Sequence, residues 1–272
     1  MAEPPIVVAP TVTKLPDCRG AVLVTGSHGG AYPGRLAALA GVRAAIFHDA
    51  GIGRDEAGIA SLAMLEGLGI AAAAISHLTA RVGDTGDMLA RGRVCCANAP
   101  ARAAGVQQGM SCAAAAERLR AAPWHTGTPP AGAEGRAVLH PPGAWRALVL
   151  IDSAAMVDAA ADRGAVIVTG SHGGLVGGDP AMALRADGFA AAYNDAGIGI
   201  EQAGIARLAA LEARGIAALT VACASAQIGS ARATLEDGVI SAANPTATRL
   251  GAVPGLPARD ILLAWTRLVA DG

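Results

Sequence analysis

The chain has 272 residues, 53% of them hydrophobic, 16% charged and 3% aromatic, with a formal net charge of -1. That balance excludes a disordered chain and supplies no basic stripe for nucleic acid or an anionic membrane surface. No charge-free apolar stretch of about 18 residues occurs, so no membrane span is expected.

The opening residues lack the basic-then-apolar pattern of a secretory signal. The five cysteines (Cys18, Cys95, Cys96, Cys112 and Cys223) are odd in number and form no C-x-x-C pair. Free thiols in a reducing cytoplasm are the expectation.

In chain order, Val22-Leu23-Val24 is a short apolar run ending in glycine, which predicts a buried parallel strand. A short helix follows near Arg35–Ala40, then a strand over Ala44–Phe47. Asp55–Leu68 has helical apolar spacing at Ile59, Leu62, Ala63 and Leu65, with Asp55 as its expected cap and Gly69 as its stop. Ile70–Ile75 is the next strand, and Cys95 and Cys96 fall on a further one. Pro123, Pro129, Pro130, Pro141 and Pro142 mark an irregular linker. After it the pattern recurs: Ile167-Val168, Ala190–Tyr193, a helix over Glu201–Arg214, and Ile216–Val221.

The recurrence is literal. AVLVTGSHGG (21–30) answers AVIVTGSHGG (165–174), and HDAGIG (48–53) answers NDAGIG (194–199). An internal duplication is therefore expected. It gives a first α/β repeat over residues 5–122, a linker over 123–148 and a second repeat over 149–268. Strand–helix alternation predicts α/β architecture: two similar βαβ-type halves with mostly parallel sheets, packed as a pseudo-dimer.

Ligands of open parallel sheets bind beyond the carboxyl ends of the strands, where both repeated loops lie. His28 and His172 are the candidate general acid or base, because histidine titrates near neutral pH. Asp49 and Asp195 are the candidate orienting carboxylates. Ser27, Gly29, Gly30, Ser171, Gly173 and Gly174 are candidate binders of an oxyanion or carboxylate. A third loop brings His77, Arg81 and Asp84 in the first half, against Cys223, Gln227 and Ser230 in the second. His77 and Arg81, with the matched Asn98 and Asn244, complete the candidate substrate-binding set. A turn role explains the two asparagines equally well, and a surface ion pair explains Arg81. The first half keeps more charge in this loop and is the expected competent one.

The Ser-His-Gly strand end resembles that of the caspase-like cysteine peptidases. His48-Asp49 and Asn194-Asp195 stand where their nucleophilic cysteine would, so no activity carries over. The paired halves are similar in architecture to the aspartate and glutamate racemase group, whose matched cysteines are absent here.

The loops match neither the dinucleotide nor the phosphate-loop fingerprint, so no cofactor is expected. A hydrolase acting on a small polar, anionic metabolite is the leading expectation. A cofactor-independent isomerase, racemase or lyase is the second. A divalent-metal enzyme using His28, His48 and Asp49 is the third, and a non-catalytic anion-binding module the fourth. The partner expected is a small molecule, with neither nucleic acid nor membrane, and homo-oligomer formation stays open.

Overall fold

A computed structural model describes residues 3–269. The first half carries strands β1 (Ile6–Ala9), β2 (Val22–His28), β3 (Ala44–His48), β4 (Ala71–Ile75) and β5 (Val94–Ala97). Its helices are α1 (Ala31–Leu39), α2 (Ala60–Gly67), α3 (Thr85–Arg91), α4 (Ala99–Ala103) and α5 (Cys112–Leu119). The second half carries β6 (Arg136–Leu139), β7 (Leu148–Ile151), β8 (Val166–His172), β9 (Ala190–Asn194), β10 (Ala217–Val221) and β11 (Ile240–Ala243). Its helices are α6 (Arg207–Glu212), α7 (Ala231–Glu236), α8 (Pro245–Arg249) and α9 (Ala258–Thr266).

The architecture is mixed α/β with two parallel-dominated sheets. One runs β1-β2-β3-β4-β5 and the other β11-β10-β9-β8-β7-β6. Strands β1 to β4 and β7 to β10 pair in parallel, while β5, β6 and β11 join antiparallel at the edges. Among the described residues, no helix is long and apolar enough to cross a membrane.

Both faces of each sheet are covered, so the central strands are wholly buried. In β4 (AAAAI), Ala71, Ala73 and Ile75 enter one apolar cluster and Ala72 and Ala74 the other. This is the two-residue alternation of a strand. Strand β9 divides likewise, with Ala190 and Ala192 on one face and Ala191 and Tyr193 on the other. Alanine brings little apolar area per residue, and the many small contacts must compensate.

The two halves meet across a seam built on the Asp-Ala-Gly-Ile-Gly loops. Ala50, Val82, Ala196 and Ile228 form a small apolar cluster there. Arg54 N donates to Cys223 O and Ile200 N donates to His77 O, each at 2.8 Å. Gly51 has φ +76°, and a Cβ on it would stand 2.7 Å from Gly197 Cα. Only two glycines let the backbones come this close. Arg81 and Arg91 of the first half pair with Glu201 of the second at 3.0 and 2.7 Å.

Three expectations need correction. The segment read as an irregular linker contributes β6, an edge strand of the second sheet, and Trp124 Nε1 ties it to Gly41 O at 3.0 Å. Asp55 does not cap a helix. It sits at φ +53° within a 3-10 turn over Arg54–Glu56, and α2 begins only at Ala60. The helix expected over Glu201–Arg214 likewise runs only over Arg207–Glu212: Ile200–Ile205 is a 3-10 turn, with Glu201 and Gln202 left-handed. These turns hold the loops against the opposite half, through the Arg54 N and Ile200 N hydrogen bonds.

Candidate functional site

Strands β2 and β8 end in Thr-Gly-Ser-His. Pairing of β2 with β3 runs in register to Val24↔Ile46, breaks, and resumes at His28↔His48. β8 breaks likewise before His172↔Asn194. Such irregularities re-aim side chains. Gly29 and Gly173 are needed for close approach, since a Cβ there would lie 2.9 Å from Gly58 O and 2.5 Å from Gly204 O.

The backbone amides of these loops are committed internally. Gly29 N donates to His48 O at 2.9 Å and Gly173 N to Asn194 O at 2.7 Å. Gly30 N donates to His28 Nδ1 at 3.1 Å and Gly174 N to His172 Nδ1 at 3.2 Å. The expectation that Gly29, Gly30, Gly173 and Gly174 offer their amides to an anion is therefore corrected. Ser27 Oγ and Ser171 Oγ are likewise acceptors, from Val12 N at 3.1 Å and Ala154 N at 2.9 Å. Each hydroxyl keeps a proton to donate.

The same geometry fixes the histidine tautomers. With Nδ1 accepting an amide proton, each neutral ring carries its proton on Nε2. Burial holds His28 down to about 4, with His48 adding to the shift. His172 is held well below its usual value by burial first and by Arg207 next. Both rings are thus neutral Nε2–H donors near neutral pH, and no other hydrogen bond engages either Nε2 among the described residues.

Both Ser-His pairs line one cavity of about 270 Å³. Its wall comes from both halves: Thr11 and Lys14 after β1, Ser27 and His28 at β2, and Ser171 and His172 at β8. Arg185, Arg207 and Glu134 complete its charged lining together with Asp152. The volume suits a small metabolite rather than a polymer.

Two of these residues were not legible as site residues. Arg207, on α6, is 3% exposed. Its Nε donates to Gly174 O at 2.9 Å and its Nη1 to Met182 O at 3.2 Å and to Ala183 O, and its guanidinium lies over Tyr193. No carboxylate pairs with it and Nη2 has no protein partner among the described residues. An unpaired buried cation is costly, so an anion is the natural complement. The sequence signal was the replacement of Ser61 by Arg207 between otherwise matching helices. Glu134 comes from the proline-rich connection, where nothing in the sequence marked it. Burial and the nearby Asp152 push its carboxyl up to about 7, against the Ser153 hydrogen bond.

The carboxylates of the second loop serve the seam. Asp49 is 1% exposed and its Oδ1 accepts from His77 N at 2.8 Å and Gly51 N at 3.1 Å. His77 Nδ1 lies 3.1 Å from both Asp49 oxygens, and Cys95 Sγ donates to Oδ2 at 3.4 Å. Hydrogen bonding to Asp49 raises His77 above its usual value. Burial is the largest single influence on Asp49 and raises it, but its bonds to His77 and Gly51 and the nearby His48 and His77 together hold it below the usual carboxylate range. Asp195 accepts from Cys223 N and Gly197 N, each at 2.9 Å. Neither carboxylate orients His28 or His172, which corrects that expectation. Neither the two carboxylates nor His77 line the cavity. Cys223 is pushed up to about 11 by burial first and Asp195 next, so its thiol stays protonated.

His48 is 1% exposed, and its two nitrogens face Ala50 N at 3.1 Å and Ala80 O at 3.0 Å. That leaves it no lone pair for the expected metal set of His28, His48 and Asp49. Among the described residues, no group of three or more His, Cys, Asp or Glu is arranged to hold a metal ion.

Asn98 and Asn244 are corrected from substrate binders to buried helix caps. Their Oδ1 atoms accept from Ala101 N and Ala247 N at 3.1 and 2.9 Å. Arg81 is spent on Asp84, Asp87 and Glu201. No protein-family model, curated protein or solved structure matches the chain.

Proposed function

We propose that the two halves are copies of one unit, and that the cavity between them is the active site of an enzyme for a small anionic metabolite. Hydrolysis is the reaction the site suits best. The observation that carries this is Arg207: a buried guanidinium with one free nitrogen, set in the cavity wall beside His172. A carboxylate or other oxyanion of the substrate would complete its charge. The neutral Nε2–H groups of His28 and His172, with the Ser27 and Ser171 hydroxyls, would donate to oxygen as charge develops there. A cofactor-independent isomerase or lyase is the second reading. It is favoured by the entry of His28 and His172 from opposite halves.

The test is a turnover screen of small carboxylates carrying amide or ester groups, followed by magnetic resonance so that isomerised and hydrolysed products are distinguished. For any substrate found, Arg207→Met is expected to raise KM about tenfold to a hundredfold, the loss of one charge-assisted hydrogen bond. An unchanged KM in a folded Arg207→Met protein would sink the reading.

A further inference from the structure

We propose that Glu134 is the proton-donating catalytic carboxyl of this cavity. The proposal rests on the anion-site reading above and adds to it the group that exchanges the proton. Among the described residues, only two carboxyls line the cavity, Glu134 and Asp152. Asp152 is spent on the backbone: its Oδ2 accepts from Gly135 N at 2.7 Å and its Oδ1 from Ala231 N at 2.9 Å. Asp152 N also donates to Gly135 O at 3.0 Å. These bonds clamp Gly135, the residue next to Glu134, and Glu134 itself lines the cavity. Glu134 is left as the one carboxyl free to trade a proton.

The groups around it suit that task. Asp152 and the Ser153 hydroxyl stand on its own side. Lys14, Arg185, Arg207 and the neutral His28 and His172 line the rest of the cavity. With its pKa lifted to about 7, Glu134 carries a proton for much of the time near neutrality. In hydrolysis, water oxygen bonds to the carbonyl carbon and the bond to the leaving group breaks. The leaving group takes the Glu134 proton, and the proton released by water restores it. An anion bound in the same cavity opposes the charged form of Glu134, so anion binding and its acid form favour one another.

Sulfate, fully ionised across the range, is the probe. Its binding to the full chain is followed by calorimetry between about pH 6 and pH 9. In the wild type, the dissociation constant should rise above pH 7, by up to about tenfold per pH unit. Glu134→Gln should bind at the low-pH strength throughout, and Ser153→Ala should move the rise to higher pH. A pH-independent wild type, or a Glu134→Gln protein that keeps the wild-type slope, overturns the assignment of Glu134 while leaving the anion site standing. Absence of sulfate binding in the wild type at every pH, or binding unaffected by Arg207→Met, overturns the anion site itself.

Discussion

His48 and Asn194 stand at the ends of β3 and β9 and do the same work. Asn194 Oδ1 accepts from Ala196 N at 3.0 Å and its Nδ2 donates to Ala226 O at 2.9 Å, as His48 does with Ala50 N and Ala80 O. His48→Asn should therefore keep both bonds and cost less than about 1 kcal/mol. His48→Leu strands a buried donor and a buried acceptor and should cost about 2–4 kcal/mol in denaturant unfolding. Equal losses for the two variants would contradict the hydrogen-bond account. The same comparison shows what was legible at this scale. His28 and His172 were marked by their recurrence in identical loops. Asp49 and Asp195 recur just as strictly, yet structural and chemical demands conserve a pattern alike, so sequence could not say which of the two they served. Arg207 and Glu134 have no counterpart in the other half, and a search guided by recurrence passes over them.

At the level of elements, the central strands β2 to β4 and β8 to β10 were legible together with β5, whereas the outer strands β1, β6, β7 and β11 and the turns were not. Ala71–Ala74 has helical propensity, but burial on both faces of the sheet overrides it, while Gly69 marked only the stop of the preceding helix. The left-handed turns at Asp55-Glu56 and Glu201-Gln202 answer to a partner surface on the other half, which no local pattern encodes. Asn98 and Asn244 link scales within one element. Asn98 Oδ1 also accepts from Ala72 N at 2.9 Å, and its Nδ2 donates to Leu62 O and Ile70 O at 3.2 and 2.9 Å. The side chain thus caps α4, fastens β4 and closes α2. Asn98→Ala and Asn244→Ala should each lower unfolding stability by about 2–4 kcal/mol, with sulfate binding unchanged in whatever remains folded. Loss of binding at full stability would return these asparagines to the site.

At the scale of the molecule, the seam and the cavity are two parts of one junction. The seam brings loop against loop through Gly51 and Gly197, and the cavity is enclosed only because both halves are held in place. Gly51→Val puts a branched side chain at φ +76° into Gly197, although Gly51 does not line the cavity. It should weaken sulfate binding and divide one calorimetric unfolding transition into two. A single transition with intact binding would show that the halves do not depend on the seam. Lys14 lends the junction one more property. It is the only lysine in the chain, and it lines the cavity. Nitrogen-15 labelling of lysine at Nζ alone therefore gives a single resonance, and that resonance reports from the cavity lining. Occupancy of the cavity becomes readable in a spectrum with one line, without mutation and before any substrate is known.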